Sequence, residues 1–392
     1  MRKVVLGFSG GLDTSYCTKY LSVDYDVIAV TVNTGGFDRT EKNELKEKAR
    51  SLGASEFHFL EATDEFYSGG IKYLLFGNVL KNNVYPLSVS AERIFQASKI
   101  ADFAKKINSE AIAHGSTGAG NDQIRFDSIF QSIHPDAEII TPIRDQGLSR
   151  ETEISYLKEH GVESDWKKAV YSINKGLWGT SVGGKETLTS HLPLPEEAFT
   201  QQISKNKPVE ITIEFEKGEP VALDGKNTGP VKVIEYLNKL GSSFGIGRDI
   251  HVGDTIIGIK GRVGFEAPGA AVLIKAHHTL EKHVLSKQQL FIKDQLAAWY
   301  GQMMHDGQFL DPVMRDIEQF LVSSQSSVTG TVRIKLLPYT FQVLGIESPY
   351  DLMQSDFGKY GEENSAWTSD DARGFAKIYS NQLKIYHKVH HE

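Results

Sequence analysis

The sequence predicts an α/β fold: a parallel β-sheet with helices on both faces, followed by an α+β domain and a C-terminal helical arm. Three observations lead to this prediction. Apolar, β-branched runs alternate with helical patterns over residues 1–165, as in parallel-sheet proteins. Strand patterns of period two appear in residues 166–360, which indicates antiparallel sheet mixed with helices. Residues 361–392 end the chain with a separate amphipathic segment.

In the first region, strand-like and helix-like segments follow each other in strict alternation. Strands joined in this way lie parallel and are covered by helices on both faces of the sheet. The predicted strands are residues 3–8, 26–33, 56–60, 110–113 and 138–143. The predicted helices are residues 14–22, 42–52, 91–107, and a segment that begins after Ser149 and ends at Gly161.

The second region is predicted to be α+β. Residues 208–216 alternate apolar and polar side chains before a Lys217-Gly218-Glu219 turn, which is typical of a hairpin strand. Three further strands are predicted at residues 254–260, 270–275 and 330–337, with helices at residues 286–305 and 311–323. In the C-terminal arm, five apolar side chains recur at helical spacing: Phe375, Ile378, Tyr379, Leu383 and Tyr386.

Composition limits the functional classes. The chain has 392 residues, 40% of them hydrophobic and 24% charged, which suits a globular protein. It has no apolar run of the ~18 residues that span a membrane, and its N-terminal run is too short for a signal peptide, so a cytoplasmic location is predicted. The net charge of −7 argues against nucleic acid as the main partner. Because Cys17 is the single cysteine, it cannot form an internal disulfide or a cysteine-paired metal site.

The strongest motif is Ser9-Gly10-Gly11-Leu12-Asp13-Thr14-Ser15, between the first predicted strand and helix. Two glycines let the backbone turn tightly and approach an anion. The helix N-terminus offers unpaired N–H groups and a positive dipole end, and the hydroxyl groups add donors. The carboxylate of Asp13 can hold Mg²⁺, directly or through water. The loop lacks the lysine of the common phosphate loop and resembles that of enzymes that split ATP between the α and β phosphates.

A second polar cluster follows another predicted strand, at residues 113–126. It contains three glycines, two amides, Asp122 and Arg125. Loops at the carboxyl ends of parallel strands share one edge of the sheet, so this cluster and the first loop are expected to face one cleft. The side chains of Asn121 and Asp122 can accept from an ammonium group, and Arg125 can bind a carboxylate in a fork. Such a site suits amino-acid substrates.

These motifs, in this order, make the chain similar to argininosuccinate synthases over nearly its whole length. The matching segments are residues 9–15, 114–126, 171–174, 177–179 and 347–350. The resemblance implies an ATP-dependent ligase of arginine biosynthesis. It would join citrulline to aspartate through a citrullyl-AMP intermediate and release AMP and pyrophosphate. It also implies ATP with Mg²⁺, no membrane or nucleic-acid partner, and a homotetramer held by the C-terminal arm. The two folded regions would be an ATP-pyrophosphatase-type nucleotide-binding domain and a synthetase domain.

The resemblance also assigns residues to each ligand. ATP would be bound by Gly7, Phe8, Ser9, Gly10, Gly11, Leu12, Asp13, Thr14, Ser15 and Gly115. Aspartate would be bound by Thr117, Asn121 and Asp122. Citrulline would be bound by Tyr85, Ser90, Asn121, Arg125, Ser172 and Ser181. The residues expected to contribute most to catalysis are Asp13, as the Mg²⁺ ligand, with Asp122 and Arg125.

The chain departs from the family pattern at several positions. Residues 85–93 replace a common Tyr-x-Leu-Gly-Thr-x-x-Ala-Arg pattern. Ala119 and Gly36 stand where the family usually has lysine and glutamine. Gly253 and Phe265 stand where many members have a glutamate and a tyrosine that contact citrulline. The ATP and aspartate assignments are unaffected, whereas for citrulline Asp254 is a candidate replacement for the missing carboxylate.

Two other functional classes remain open at the level of sequence. One is another adenylating ligase with the same loop type, acting on a related small substrate. The single cysteine and the net charge of −7 disfavour a tRNA thiolase, and no glutaminase nucleophile is evident. The other is a nucleotide-binding regulatory module without catalysis. The presence of Asp13, Asp122 and Arg125 together disfavours a purely binding role.

Overall fold

The computed structural model describes residues 1–162, 171–355, 357, 360–361 and 366–390. The predicted boundary after residue 165 lies outside the described residues. Among the described helices, none is both long and apolar enough to cross a membrane.

The first region contains a five-stranded sheet in which every strand pair is parallel, as predicted. Its strands lie in the order β3-β2-β1-β4-β5. They are β1 (Arg2–Gly7), β2 (Tyr25–Asn33), β3 (Glu56–Glu61), β4 (Ala111–Ala113) and β5 (Glu138–Ile140). The helices are α1 (Leu12–Leu21), α2 (Arg39–Ser51), α3 (Thr63–Phe66), α4 (Lys72–Phe76), α5 (Ser88–Lys106), α6 (Asp122–Ile133), α7 (Pro142–Gln146) and α8 (Arg150–Glu159).

Alternating side chains of the central strand fill two separate cores. Val4 and Leu6 pack with Cys17 on the face covered by α1 and α8, whereas Val5 packs on the opposite face, which α5 covers. All three strand residues are fully buried, as expected for a parallel strand with helices on both sides. The sheet therefore presents the carboxyl ends of its strands, and the loops that follow them, along one edge.

The five strands lie within a few residues of the predicted ones, but two helical stretches have no counterpart in the prediction. One is α3 and α4 with the π-helical segment Tyr67–Ile71 between them, and the other is α6. The predicted fifth strand was also too long, because Pro142 begins a short helix.

The second region contains two antiparallel sheets with helices. One has the order β10-β9-β8-β13-β14 and the other β11-β12-β7-β6. Their strands are β6 (Ser172–Gly176), β7 (Gly179–Gly183), β8 (Val209–Glu216), β9 (Glu219–Leu223), β10 (Lys226–Asn227), β11 (Arg248–Asp254), β12 (Lys260–Glu266), β13 (Gly330–Leu337) and β14 (Thr340–Glu347). The helices are α9 (Pro230–Ser242), α10 (Pro268–Val284), α11 (Lys287–His305) and α12 (Pro312–Ser324). The α+β prediction is confirmed.

Two predicted strands of this region were wrong. Residues 254–260 form the tip of the β11–β12 hairpin, where Gly258 adopts a positive φ of 82°. Residues 270–275 lie inside α10, whose first residue is Pro268. A short β-branched run does not distinguish a buried strand from a buried helix.

A buried polar network joins the two regions. The ammonium of Lys293 on α11 lies 3.0 Å from the carboxylate of Glu281 on α10, and both side chains are fully buried. Lys293 Nζ also donates to the carbonyl oxygen of Phe76, and Asn78 Nδ2 donates to Glu281 at 2.5 Å. Two residues from the first region thus complete the hydrogen bonding of a buried ion pair in the second.

The C-terminal arm consists of two helices, α13 (Ser369–Tyr379) and α14 (Asn381–His390), rather than one. The apolar side chains predicted to form its stripe are all exposed, from 56% to 77%. They are Phe375, Ile378, Tyr379, Leu383 and Tyr386.

Candidate active site

The phosphate-loop motif forms the turn between β1 and α1, as predicted. Gly10 has a φ of 74°, a left-handed conformation that glycine adopts without strain. The Ser9 hydroxyl lies 3.3 Å from that of Thr14 and accepts from the Gly11 N–H at 3.4 Å. The side chains of Phe8 and Leu12 are buried in the core, so these two residues can offer only backbone groups to a ligand.

A lysine that the sequence analysis did not select lies against this loop. Lys48 on α2 donates from Nζ to the carbonyl oxygen of Gly10 at 2.6 Å. Burial lowers the pKa of Lys48 from its usual value. Its only signal in the sequence was its place in the predicted helix of residues 42–52, and the long-range contact could not be inferred from that.

The second glycine-containing loop meets the first, as predicted. A Cβ atom built on Gly115 would lie 3.3 Å from the backbone carbon of Asp13 and 3.4 Å from the backbone nitrogen of Thr14. His114 fixes the start of this loop, because its Nδ1 accepts from the Ser116 N–H and its Nε2 therefore carries the proton donated to Asp127. The two loops therefore lie side by side at the carboxyl edge of the sheet.

Asp13 faces a second carboxyl group, that of Glu153 on α8. Burial and the negative charge of Asp13 raise the pKa of Glu153 to about 8, and burial also raises the pKa of Asp13. The neutral Glu153 donates a hydrogen bond to Asp13, while its own Oε2 is buried without a hydrogen-bond partner among the described residues. Asp13 therefore places beside the phosphate loop a carboxyl group of the kind that Mg²⁺ prefers as a ligand, whereas Glu153 is buried. In the described part of the chain, no cluster of three or more potential metal ligands occurs.

We expect Glu153→Gln to change how stability depends on pH. The folded state holds the Glu153 proton up to about pH 8, whereas an unfolded glutamate loses it near pH ~4.3. Between these values the folded state binds more protons, so the free energy of unfolding falls as pH rises. The variant has no such loss of stability as pH rises. The difference between its melting temperature and that of the parent should therefore grow in favour of the variant from pH 5 to pH 8. Thermal melts without nucleotide or metal would measure this, with exposed Glu151→Gln on the same helix as control. Parallel pH profiles would contradict it.

Beyond the loops, Asp122 lies between two arginines. Its carboxylate accepts from Arg93 Nε at 3.0 Å and from Arg125 Nη1 at 2.9 Å. Burial alone would raise the pKa of Asp122, but the two guanidinium groups lower it below its usual value. Asp122 is therefore ionised, and its negative charge balances the positive charges of Arg93 on α5 and Arg125 on α6.

The network extends into the second region through Arg93. Arg93 Nη2 donates to the side-chain oxygen of Asn174 on β6 at 2.6 Å, and Asn174 Nδ2 donates to the hydroxyl of Ser181 on β7. Arg93 is not among the predicted site residues, although it stands in the divergent segment of residues 85–93. The contacts connect the predicted aspartate residue Asp122 to the predicted citrulline residue Ser181.

Arg125 is held tightly and has little capacity left for a fork with a substrate carboxylate. It donates four hydrogen bonds: one to Asp122, one to Ser90, and two to the carbonyl oxygen of His305, which uses nearly all of its donors. Its side chain is only 3% exposed. In this geometry Arg125 positions Asp122 and Ser90.

The remaining predicted residues surround this network. The side chain of Tyr85 is buried, and its hydroxyl accepts from the Val89 N–H at 3.1 Å. Asn121 Oδ1 accepts from the Ile256 N–H at the tip of the β11–β12 hairpin, so that hairpin reaches the second glycine-containing loop. Thr117 and Ser172 are exposed and make no hydrogen bond between side chains of the described residues.

One departure from the family pattern, Gly36, has a structural explanation. Gly36 leaves no room for a side chain, because a Cβ atom there would collide with the carbonyl oxygen of Lys175 on β6. Asp254 is paired with Lys260 at 2.7 Å across the hairpin and is largely exposed, so it does not replace a buried carboxylate in the cleft. Ala119 lies exposed in the second loop.

Comparison with known proteins covers both regions of the chain. Residues 3–163 match the model of the arginosuccinate synthase N-terminal HUP domain, and residues 171–386 match that of the arginosuccinate synthase C-terminal domain. Argininosuccinate synthase of Dictyoglomus thermophilum is 38% identical over 388 residues, covering 98% of this chain and 97% of that protein. That of Methanocaldococcus jannaschii is 37% identical over 390 residues, covering 98% of each. The chain belongs to the argininosuccinate synthase family.

Proposed function

We propose that this enzyme joins citrulline to aspartate at the expense of ATP, forming argininosuccinate, AMP and pyrophosphate. This is the argininosuccinate synthase reaction of arginine biosynthesis, and ATP dependence follows from the HUP domain. The ureido oxygen of citrulline attacks the α-phosphorus, and the bond to the oxygen bridging the α and β phosphates breaks. The amine of aspartate then attacks the ureido carbon of the citrullyl-AMP, and AMP leaves with the ureido oxygen.

The observation that carries this proposal is the convergence of three groups at one sheet edge. The loop of residues 9–15 contacts Gly115, and the Arg93–Asp122–Arg125 network follows on the next helix. The second region reaches the same place through Asn174. A phosphate-binding loop therefore adjoins a charged network to which both regions contribute side chains.

Backbone N–H groups of residues 9–15 and the N-terminus of α1 would hold the phosphates, with Gly115 allowing close approach. We propose that Asp13 binds Mg²⁺, with Glu153 as its neighbour. When bound, Mg²⁺ would neutralise charge on the phosphates and the leaving pyrophosphate. Since the protein makes no covalent bond to substrate in this reaction, its contribution is positioning and charge stabilisation.

We assign the two amino-acid substrates, aspartate and citrulline, to opposite sides of the Arg93–Asp122–Arg125 network. Thr117, Asn121 and Asp122 would bind aspartate, because a carboxylate and an amide oxygen can accept from its ammonium group. Citrulline would lie toward the second region. Its proposed contacts are Tyr85, Ser90, Asn121, Ser172 and Ser181, with Arg125 positioning Ser90 by a hydrogen bond. We place the enzyme in the cytoplasm, where ATP is available.

Isotope transfer tests the proposed reaction. Citrulline that carries heavy oxygen in its ureido group should pass that oxygen to AMP, because the ureido oxygen is the atom that bonds to the α-phosphorus. Mass spectrometry of the AMP formed with ATP, Mg²⁺ and aspartate would measure the transfer.

The control is the same reaction with labelled water and unlabelled citrulline, which should leave AMP unlabelled. If AMP carries label from water, or if pyrophosphate is released without citrulline, the chain is an adenylating ligase or hydrolase of another specificity.

We propose further that the C-terminal arm packs on other subunits of a homotetramer. Its apolar side chains are exposed in the single chain, including Phe375 and Leu383. An exposed apolar stripe of this kind requires a partner. The chain shows a second exposed apolar face on α11, at Phe291, Ile292 and Trp299, so more than one interface is available. A closed symmetric assembly would bury the arm of every subunit.

Removal of the residues after Ser369 should therefore lower the mass of the particle in solution. Light scattering coupled to size-exclusion chromatography would compare the truncated and intact chains at equal concentration. Substitution of exposed Lys377 by alanine, which leaves the stripe in place, is the control. A monomeric intact chain, or a tetramer that survives truncation, would rule out this role of the arm.

A further inference from the structure

The proposed citrulline site contains a histidine to which no role has yet been given. His251 lies on β11, and its ring stacks on Tyr85 with centroids 5.1 Å apart and planes 22° from parallel. Phe265 on the adjacent strand packs against the same tyrosine at 5.3 Å. The three rings form one wall of the site, where the second region meets the segment before α5.

His251 is buried but makes no hydrogen bond within the described residues. His251 is 7% exposed. Its ring stacks on Tyr85, and the charge of Lys81 lies nearby. Its ring nitrogens are not among the side-chain atoms that are cut off from solvent without a partner, so they remain accessible to a ligand. In the wall of a substrate site, a ligand can supply the missing partner.

Gly253 keeps one of these nitrogens accessible. Residues 251 and 253 point to the same face of β11, and a Cβ atom on Gly253 would lie 2.6 Å from His251 Nε2. Asn82 closes the other side of this space and is fixed by donating to the carbonyl oxygen of Val252 at 3.0 Å. The absence of a side chain at position 253 is therefore what leaves Nε2 free to contact another molecule.

Charge at this position favours an anionic group. Burial first, and then the nearby ammonium of Lys81, lower the pKa of His251, and Lys81 also lies close to Arg125. The nearby carboxylates are already engaged: Asp254 by Lys260, and Asp306 by Gln302 and His305. A neutral imidazole can donate one N–H bond, and the ammonium of Lys81 would stabilise a carboxylate that accepts it.

We propose that His251 binds the α-carboxylate of citrulline through Nε2–H, and that Gly253 provides the space for this contact. The assignment to that end of the substrate follows from topology. The ureido group must reach ATP at the loop after β1, whereas His251 belongs to the antiparallel sheet of the second region. This inference rests on the proposed function, because it specifies how the citrulline site recognises its ligand.

The test compares citrulline with its amide, in which the α-carboxylate is replaced by a neutral group. Pyrophosphate release is measured for the parent protein and for His251→Phe, which keeps the ring and removes the donor. For the parent, KM for the amide should exceed KM for citrulline by about tenfold, the loss expected for one hydrogen bond to a charged group. His251→Phe should raise KM for citrulline to a similar extent but discriminate little between the two compounds. KM for ATP and kcat should change less than twofold.

Three further variants complete the design. His251→Gln, which can donate from a similar position, should restore part of the preference for citrulline. Gly253→Ala should raise KM for citrulline because its Cβ atom displaces Nε2. His58→Phe, at a partly exposed position on β3, should behave as the parent.

The outcomes separate the inference from the proposed function. If the parent releases pyrophosphate with citrulline but His251→Phe discriminates against the amide as strongly as the parent, His251 does not contact the carboxylate. The proposed function then stands and only the inference fails. If the folded parent shows no citrulline-dependent turnover, both are overturned.

Discussion

Asp13→Ala should lower the rate of pyrophosphate release by about a thousandfold, the size of effect seen when a preorganised charge-stabilising group is removed. Asp13 lies at the meeting point of the two glycine-containing loops, where its backbone carbon and Cβ atom approach Gly115. Its loss would remove the proposed Mg²⁺ ligand from the phosphate site. The fold should persist, because the core beneath it is formed by Cys17 and its apolar neighbours. Steady-state kinetics over a range of Mg²⁺ concentrations, beside thermal melts, would measure both effects.

Asp24→Ala is the matched control for this variant. Asp24 is an exposed carboxylate just beyond the other end of α1, so the same change there should leave turnover unaltered. Turnover by Asp13→Ala within tenfold of the parent at saturating Mg²⁺-ATP would refute the proposed role.

Asp122→Asn should damage stability and catalysis together. The change leaves Arg93 and Arg125 without the carboxylate that both contact, and their side chains are only 14% and 3% exposed. Loss of one partner of a buried ion pair costs about 3 kcal/mol or more, because the remaining charge is uncompensated. We expect KM to rise for citrulline as well as aspartate, because Arg93 and Arg125 connect Asp122 to Asn174 and Ser90.

Denaturant unfolding and two-substrate kinetics would measure these effects, with Asp316→Asn, an exposed position on α12, as control. From charge matching alone, Asp122 would serve aspartate and Arg125 would serve citrulline. A rise in KM for aspartate alone, with unchanged stability, would favour that simpler division over the coupled network.

Much of the fold could be predicted because its signals are local. The parallel sheet follows from buried strands alternating with helices, and the phosphate loop follows from two glycines between a strand and a helix. The strand predicted for residues 270–275 was wrong because an Ala-Val-Leu-Ile run suits a strand and a buried helix equally. Its context decides, since Pro268 begins a helix that continues to Val284.

The motifs of the site could be predicted from the sequence, but the side-chain contacts between distant segments could not. Asp122 and Arg125 stand three residues apart on one helix, so their proximity could be foreseen. The partners of Asp13 and Asp122, Glu153 and Arg93, come from distant segments and are fixed by tertiary packing. Lys48 and His251 are similar cases: nothing near them in the sequence distinguishes them from surface or core residues.

The buried ion pair of Lys293 and Glu281 limits how the cleft can open. Phe76 and Asn78 complete its hydrogen bonding from the first region, so moving the two regions apart as rigid bodies would strand a charge in the interior. The β6–β7 and β11–β12 hairpins lie outside this anchor and touch the site through single hydrogen bonds of Asn174 and Ile256. We therefore expect substrate entry and product release to depend on local changes at these two hairpins rather than on hinging of the two regions.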